Sequence, residues 1–180
     1  MWFFYLFLLL SLNLNYIHLL LKKININTEF SVFESIHELD PQTRDLMLNA
    51  IEIRQKAYAP YSKFRVGAAV LLDNEQIVLG SNQESAAYPS GLCAERVAVF
   101  HAGSMYPEAK ILKIAISATS DINPTRKPTP PCGACRQSIS EYEQKQTTPI
   151  EIYFMGESGE IYKSDSLENL LPLSFDKDFL

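Results

Sequence analysis

Apolar and polar residues alternate along "KININTEFSVFESI", with Ile24, Ile26, Thr28, Phe30 and Val32 on one side. That period of two predicts a strand with one buried face. The period then changes. Asp40-Pro41 reads as a helix start, with Asp as N-cap and Pro at the first helical position. Leu46, Met47, Ala50, Ile51, Arg54 and Ala57 follow helical spacing to about Tyr58, where "APYSKF" breaks the helix. "RVGAAVLL" and "QIVLGS" flank Asp73-Asn74-Glu75, a hairpin signal.

A loop, "NQESAAYPSGL", leads into a predicted helix from about Cys93 to His101. "ILKIAISAT" is a buried strand. A polar loop holding Pro124, Pro128, Pro130 and Pro131 follows, then a helix from Cys132 to about Tyr142. "IEIYFM", the turn "GESG" and "EIYK" give two more strands, and Ser166 caps a short helix ending at "LLP". The order α-β-β-α-β-α-β-β-α predicts an α/β layer fold around one sheet with helices on both faces.

The pattern at the start differs from the rest. "MWFFYLFLLLSLNLNYIHLLLKK" is apolar for about 21 residues, enough to cross roughly 30 Å of bilayer core. Read literally it is a membrane anchor, with Lys22 and Lys23 keeping the rest on the cytoplasmic side. It is a poor signal peptide, because no basic residue precedes the apolar run. Asn13, Asn15 and His18 weaken the span. In the other reading translation starts at or near Leu21, since a TTG leucine codon can serve as a start. The predicted organisation is 1–21 as this apolar segment, 22–39 as a strand-like extension, and 40–180 as the functional domain.

Composition adds limits. The chain has 180 residues, 47% hydrophobic and 21% charged, with net charge -5 and no basic run. This disfavours nucleic acid as the main partner. Three cysteines cannot form a full disulfide framework.

Two of the cysteines stand in "TPPCGACRQSI". A Cys-x-x-Cys pair at a helix start places both side chains on one face, where the helix dipole favours thiolates. Such a pair suits redox chemistry or a metal. Cys93, in "GLCAERVAV", has the same setting. Two helix N-termini can therefore bring Cys93, Cys132 and Cys135 to one cation. Three thiolates leave a fourth tetrahedral position open, which marks a catalytic zinc site. The three histidines, His18, His37 and His101, lie outside these motifs. Glu95, two residues after Cys93, is either a dipole-friendly first-turn residue or an acid/base beside that open position. A Cys-x-Glu followed by Pro-Cys-x-x-Cys is the arrangement of zinc deaminases.

The segments "AYAPYSKFRVGAAV", "GSNQESAAYPSGLCAERVA", "PCGACRQ" and "LLPLSF" together resemble the small, three-cysteine, homotetrameric cytidine deaminases, over about Asp40 to Phe175. The resemblance implies a three-layer α/β/α fold with one mixed sheet of about five strands. It implies zinc on Cys93, Cys132 and Cys135, Glu95 as proton shuttle, and hydrolytic deamination of cytidine and deoxycytidine in cytoplasmic pyrimidine salvage. Ala94 offers a backbone N–H to the base, and Arg96 draws charge from the thiolates. Phe64 stands beside the nucleoside, Asn82 and Glu84 hold the ribose 3′-hydroxyl, and Tyr88 and Phe175 are offered to a neighbouring subunit of a tetramer. Without the resemblance, Phe64 and Phe175 read as core residues, Glu84 as a loop charge and Arg96 as a solvent-facing helix charge.

One departure is Ser85, where the family often has Asn. The tetramer also bears on residues 1–21. Closed tetramers commonly have dihedral symmetry, which sends termini to opposite faces, so the start at or near Leu21 is the expected one. A structural zinc protein would need no Glu95, Asn82 or Glu84. A nucleic-acid deaminase would want a basic face and usually a histidine ligand. A Cys-x-x-Cys oxidoreductase leaves Cys93 and Glu95 without a role.

Overall fold

The structure, a computed structural model, describes residues 22–180; the apolar segment 1–21 lies outside the described residues. Six strands form one sheet in the order β1-β6-β5-β4-β2-β3. They are β1 Ser31–Phe33, β2 Phe64–Leu72, β3 Ile77–Ser81, β4 Ile111–Ser120, β5 Glu151–Met155 and β6 Ile161–Ser164. Only β4 and β5 pair in parallel. The helices are α1 Pro41–Ile53, α2 Ala94–Met105 and α3 Gly133–Gln146.

Alternation along the central strands divides the core in two. Ala68, Val70, Leu72, Ile114, Ile116, Ile152 and Phe154 face α2 and α3, where they meet Ala98, Val99, Ala102 and Ile139. Ala69, Leu71, Ala115, Tyr153 and Met155 face the other way, against Leu46, Met47 and Ala50 of α1. This is the expected three-layer α/β/α arrangement, with one helix on one face and two on the other.

The start of α1 follows its sequence signals. Asp40 Oδ1 accepts from the Thr43 N–H at 2.9 Å, and Pro41 takes the first helical position. The α-helix ends at Ile53 and tightens into a 3-10 turn over Arg54–Lys56, short of the expected Tyr58. The second and third helices run to Met105 and Gln146, one turn beyond expectation. The capped segment after Ser166 is only a 3-10 turn, Leu167–Asn169.

The extension is a correction. The alternation from Ile24 predicted a long strand, but only Ser31–Phe33 pairs, with β6. Ile24 and Ile26 remain 66% and 48% exposed. A strand exists only where a partner offers ladder bonds, and β6, four residues long, offers few. Phe30 is still held, edge-on to Phe154 with ring centroids 6.4 Å apart. Edge strand β1 is why the sheet has six strands rather than about five.

Both β3 and β4 are antiparallel to β2, so they run in the same direction. The segments leaving their carboxyl ends lead to the N-termini of α2 and α3. Topology therefore brings two helix starts to one end of the sheet, the usual place for a ligand site in α/β folds.

Candidate metal centre and adjoining cavity

Cys93 and Cys132 are the N-cap residues of α2 and α3, both in extended backbone conformation. Neither sulfur caps its helix. Instead the sulfurs turn toward each other: Cys93 Sγ lies 3.8 Å from Cys132 Sγ, which lies 3.5 Å from Cys135 Sγ. All three sulfurs are within 4.8 Å of one another, and none is in a disulfide. Tetrahedral zinc with Zn–S of about 2.3 Å needs sulfurs about 3.8 Å apart. The cluster fits that geometry, and three ligands leave one position for water or substrate.

Charge within the cluster is uneven. Hydrogen bonding from the Cys135 thiol, helped by Arg96, lowers Cys93 to about 5. The same contact pushes the Cys135 thiol up, and burial adds to it. Burial alone would lower the Arg96 guanidinium, but its contacts with the Cys93 and Cys135 sulfurs outweigh that and raise it. The Arg96 charge thus acts on two of the three sulfurs. Its Nε is buried without a hydrogen-bond partner.

Glu95 is 4% exposed. Burial raises its carboxyl from the ordinary value of 4.5 to about 7, and the Cys93 charge adds to the effect. A group poised there can both take and give a proton near neutral pH. Gly80 of β3 lets α2 approach close enough to place it. A Cβ at Gly80 would meet the Ala94 carbonyl and the Ala98 nitrogen, each at 2.5 Å.

A cavity of about 480 Å³ opens beside Cys93 and Arg96. Asn82, Glu84, Ser85 and Tyr88 line it, together with Tyr61 and Ser62. Glu84 Oε2 accepts backbone N–H bonds from Tyr61 at 2.9 Å and Ser62 at 3.3 Å. Those bonds, with the Ser62 hydroxyl contact as the largest influence, hold its carboxyl below the usual carboxylate range. The other oxygen, Oε1, takes no part in these bonds. The Asn82 amide is tied to β2: Oδ1 accepts from the Val66 N–H at 2.8 Å, and Nδ2 donates to the Phe64 carbonyl at 2.9 Å. One Nδ2 hydrogen remains. Ser85 Oγ accepts from the Ala87 N–H at 3.2 Å, shaping the turn beneath Tyr88.

Ala94 is fully buried in the first turn of α2, next to both Cys93 and Glu95. The ring of Phe64 is half-buried at the start of β2 and does not line the cavity. Phe175 does not line it either. Its ring stacks on Phe179 at 5.5 Å, and its carbonyl accepts from Gln137 Nε2 at 2.8 Å. One chain therefore brings together the cysteines, Glu95, Arg96, Asn82 and Glu84, and leaves Phe64 and Phe175 apart; Tyr88, expected at a neighbouring subunit's site, lines this chain's own cavity. Sequence reasoning missed Tyr61 and Ser62, whose backbone N–H groups aim Glu84. The turn signal in "APYSKF" marks the place but not the contact.

Residues 40–149 match the family model described as "Cytidine and deoxycytidylate deaminase zinc-binding region". A cytidine deaminase of Halalkalibacterium halodurans is 39% identical over 130 residues, covering 72% of this chain and 91% of that one. A protein described as a probable cytidine deaminase in Dictyostelium discoideum is 35% identical, covering 71% of this chain and 79% of its own length. The crystal structure of cytidine deaminase from Burkholderia pseudomallei superposes with a TM-score of 0.63 at 32% identity, over 76% of this chain and all of that one. On the family match and on these relatives, the chain with its three converging cysteines belongs to the cytidine and deoxycytidylate deaminase family.

Proposed function

We propose that this chain hydrolyses the C4 amino group of cytidine and deoxycytidine, giving uridine or deoxyuridine and ammonia, as a step of pyrimidine salvage in the cytoplasm. The observation that carries the reading is a cluster of three sulfurs within 4.8 Å of one another, with the buried Glu95 two residues after Cys93, and with Cys93 opening on a cavity bounded by Asn82 and Glu84. Cys93, Cys132 and Cys135 would hold zinc. When bound, zinc supplies an acidified water at neutral pH.

The residues of the chain do the rest. Glu95 accepts the proton of the attacking water and delivers it to ring N3; oxygen bonds to C4 as the N3–C4 double bond opens. Glu95 then carries the second water proton to the amine, the C4–N4 bond breaks, and ammonia leaves. Its raised pKa suits both transfers. Arg96, which lines the cavity with Cys93, draws charge from the thiolates and keeps the centre acidic. The Ala94 N–H is offered to the base.

Glu84 Oε1 and the remaining Asn82 N–H bind the ribose 3′-hydroxyl, a contact blind to the 2′ position. Tyr88 supplies an apolar wall, whereas Phe64 stands outside the cavity of the single chain. Phe175, set apart in one chain, reaches a neighbouring subunit's site in a homotetramer. The catalytic unit is residues 40–180, with 22–39 adding the edge strand. Among the described residues no helix is long and apolar enough to cross a membrane.

The test follows ammonia release by zinc-loaded protein from cytidine, deoxycytidine, adenosine, free cytosine and single-stranded DNA. Turnover of the first two alone is expected. Turnover confined to DNA, or none on either nucleoside, would overturn the reading.

A further inference from the structure

A cysteine at an N-cap leaves a helix start loose. Side-chain caps are worth about 0.5–2 kcal/mol, yet Cys132 gives none because its sulfur faces the cluster. Something else must set the direction from which the chain enters α3, since that direction aims the Cys132 sulfur.

One side chain does this. Arg136, one turn into α3, folds back so that Nε donates to the Pro131 carbonyl at 2.8 Å. Pro131 is the residue immediately before Cys132 and is buried. The same guanidinium donates through Nη1 to the Leu170 carbonyl, also at 2.8 Å. Leu170 is buried at 7% exposure and ends the 3-10 turn that Ser166 opens. The next residue, Gln137, holds the Phe175 carbonyl. Two consecutive side chains of the cysteine helix thus carry the C-terminal segment 170–175.

We infer that Arg136 is a positioning residue for the metal centre: it fixes the Pro131–Cys132 peptide and ties the aim of Cys132 to the placement of residues 170–175. The inference rests on the zinc reading above. Arginine suits the task because its planar fork reaches two carbonyls at fixed angles. Lysine can reach one carbonyl but cannot set both. Before Cys93 the equivalent carbonyl, that of Leu92, is held by backbone instead, accepting from the Gln83 N–H at 2.9 Å.

The test is competition for zinc with a chromophoric chelator, using the full chain and its R136K and R136Q variants. Partners behind metal ligands typically contribute about 10–100-fold in affinity. R136Q should lose roughly that much, and R136K should lose less, because one carbonyl contact survives. Hydrogen exchange at residues 170–175 should quicken in the same order. R136K guards against a glutamine variant that fails to fold. Two folded variants with unchanged zinc affinity would overturn the inference while leaving the zinc reading intact. An unsubstituted chain that takes up no zinc would overturn both.

Discussion

Gly80 and Ala94 touch through backbone: a Cβ on the glycine would come within 2.5 Å of the Ala94 carbonyl. The first turn of α2, which carries Glu95 and follows Cys93, thus rests directly on β3. Gly80→Ala must push that turn away from the sheet. Overpacking of this kind typically costs about 1–3 kcal/mol. Urea unfolding should show a loss in that range, with weaker zinc retention in dialysis. Unchanged stability and zinc content would mean that α2 can shift freely.

Glu95→Gln keeps the shape but cannot shuttle protons. Zinc content should remain near one per chain, while kcat falls by at least ~10²–10⁴-fold. A zinc-loaded variant with near-normal turnover would remove Glu95 from the mechanism.

Cys132→Ala removes one of three ligands. Metal analysis should find about one zinc per chain in the unsubstituted protein and little in the variant, with activity lost in parallel. Full zinc and full activity in the variant would refute the ligand set.

Glu84→Ala removes the carboxylate that Tyr61 and Ser62 hold in place. Bonds to charged groups are worth about 1.5–3 kcal/mol, so kcat/KM for cytidine should fall roughly 10- to 150-fold. The loss should be small for free cytosine, which has no sugar. Equal losses on both would dismiss the sugar contact.

Asp40 titrates in acid. The Thr43 contacts, and after them Lys113, hold its carboxyl below the ordinary 3.8. Its folded pKa is depressed, so its stabilisation is present above the ordinary value and is lost as pH falls through the folded one. Asp40→Ala should cost about 1 kcal/mol at pH 7. The two unfolding curves should converge as pH falls below the ordinary value of 3.8. A gap that stayed constant with pH would point to a role other than the carboxylate cap.

The sequence foretold what depends on neighbours along the chain. Asp40-Pro41 marked a helix start because capping is local, and the Cys-x-x-Cys spacing put two sulfurs on one helical face. Contacts that cross the sheet were hidden. The alternation from Ile24 read as a strand, but the partner that would pair with it is absent from the sheet. Asn82 read as a substrate ligand, and its commitment to Phe64 and Val66 emerges only when β2 and β3 stand side by side. The Tyr61 and Ser62 bonds to Glu84 span 23 and 22 residues, beyond any local pattern.

Cys93 and Cys132 lie 39 residues apart in the chain although their sulfurs are neighbours. On a ribosome adding ~5–20 residues per second, roughly 2–8 s pass between their emergence. During that interval Cys93 has no companions for a tetrahedral site, and α2 has only β2 and β3 to lean on. With the proposed ligand set, metal loading would wait until β4 and the proline loop have been made. A nascent chain stalled before Cys132 would offer a lone thiol to oxidants, and a chain released after Cys135 would close a loop of about forty residues in one capture event.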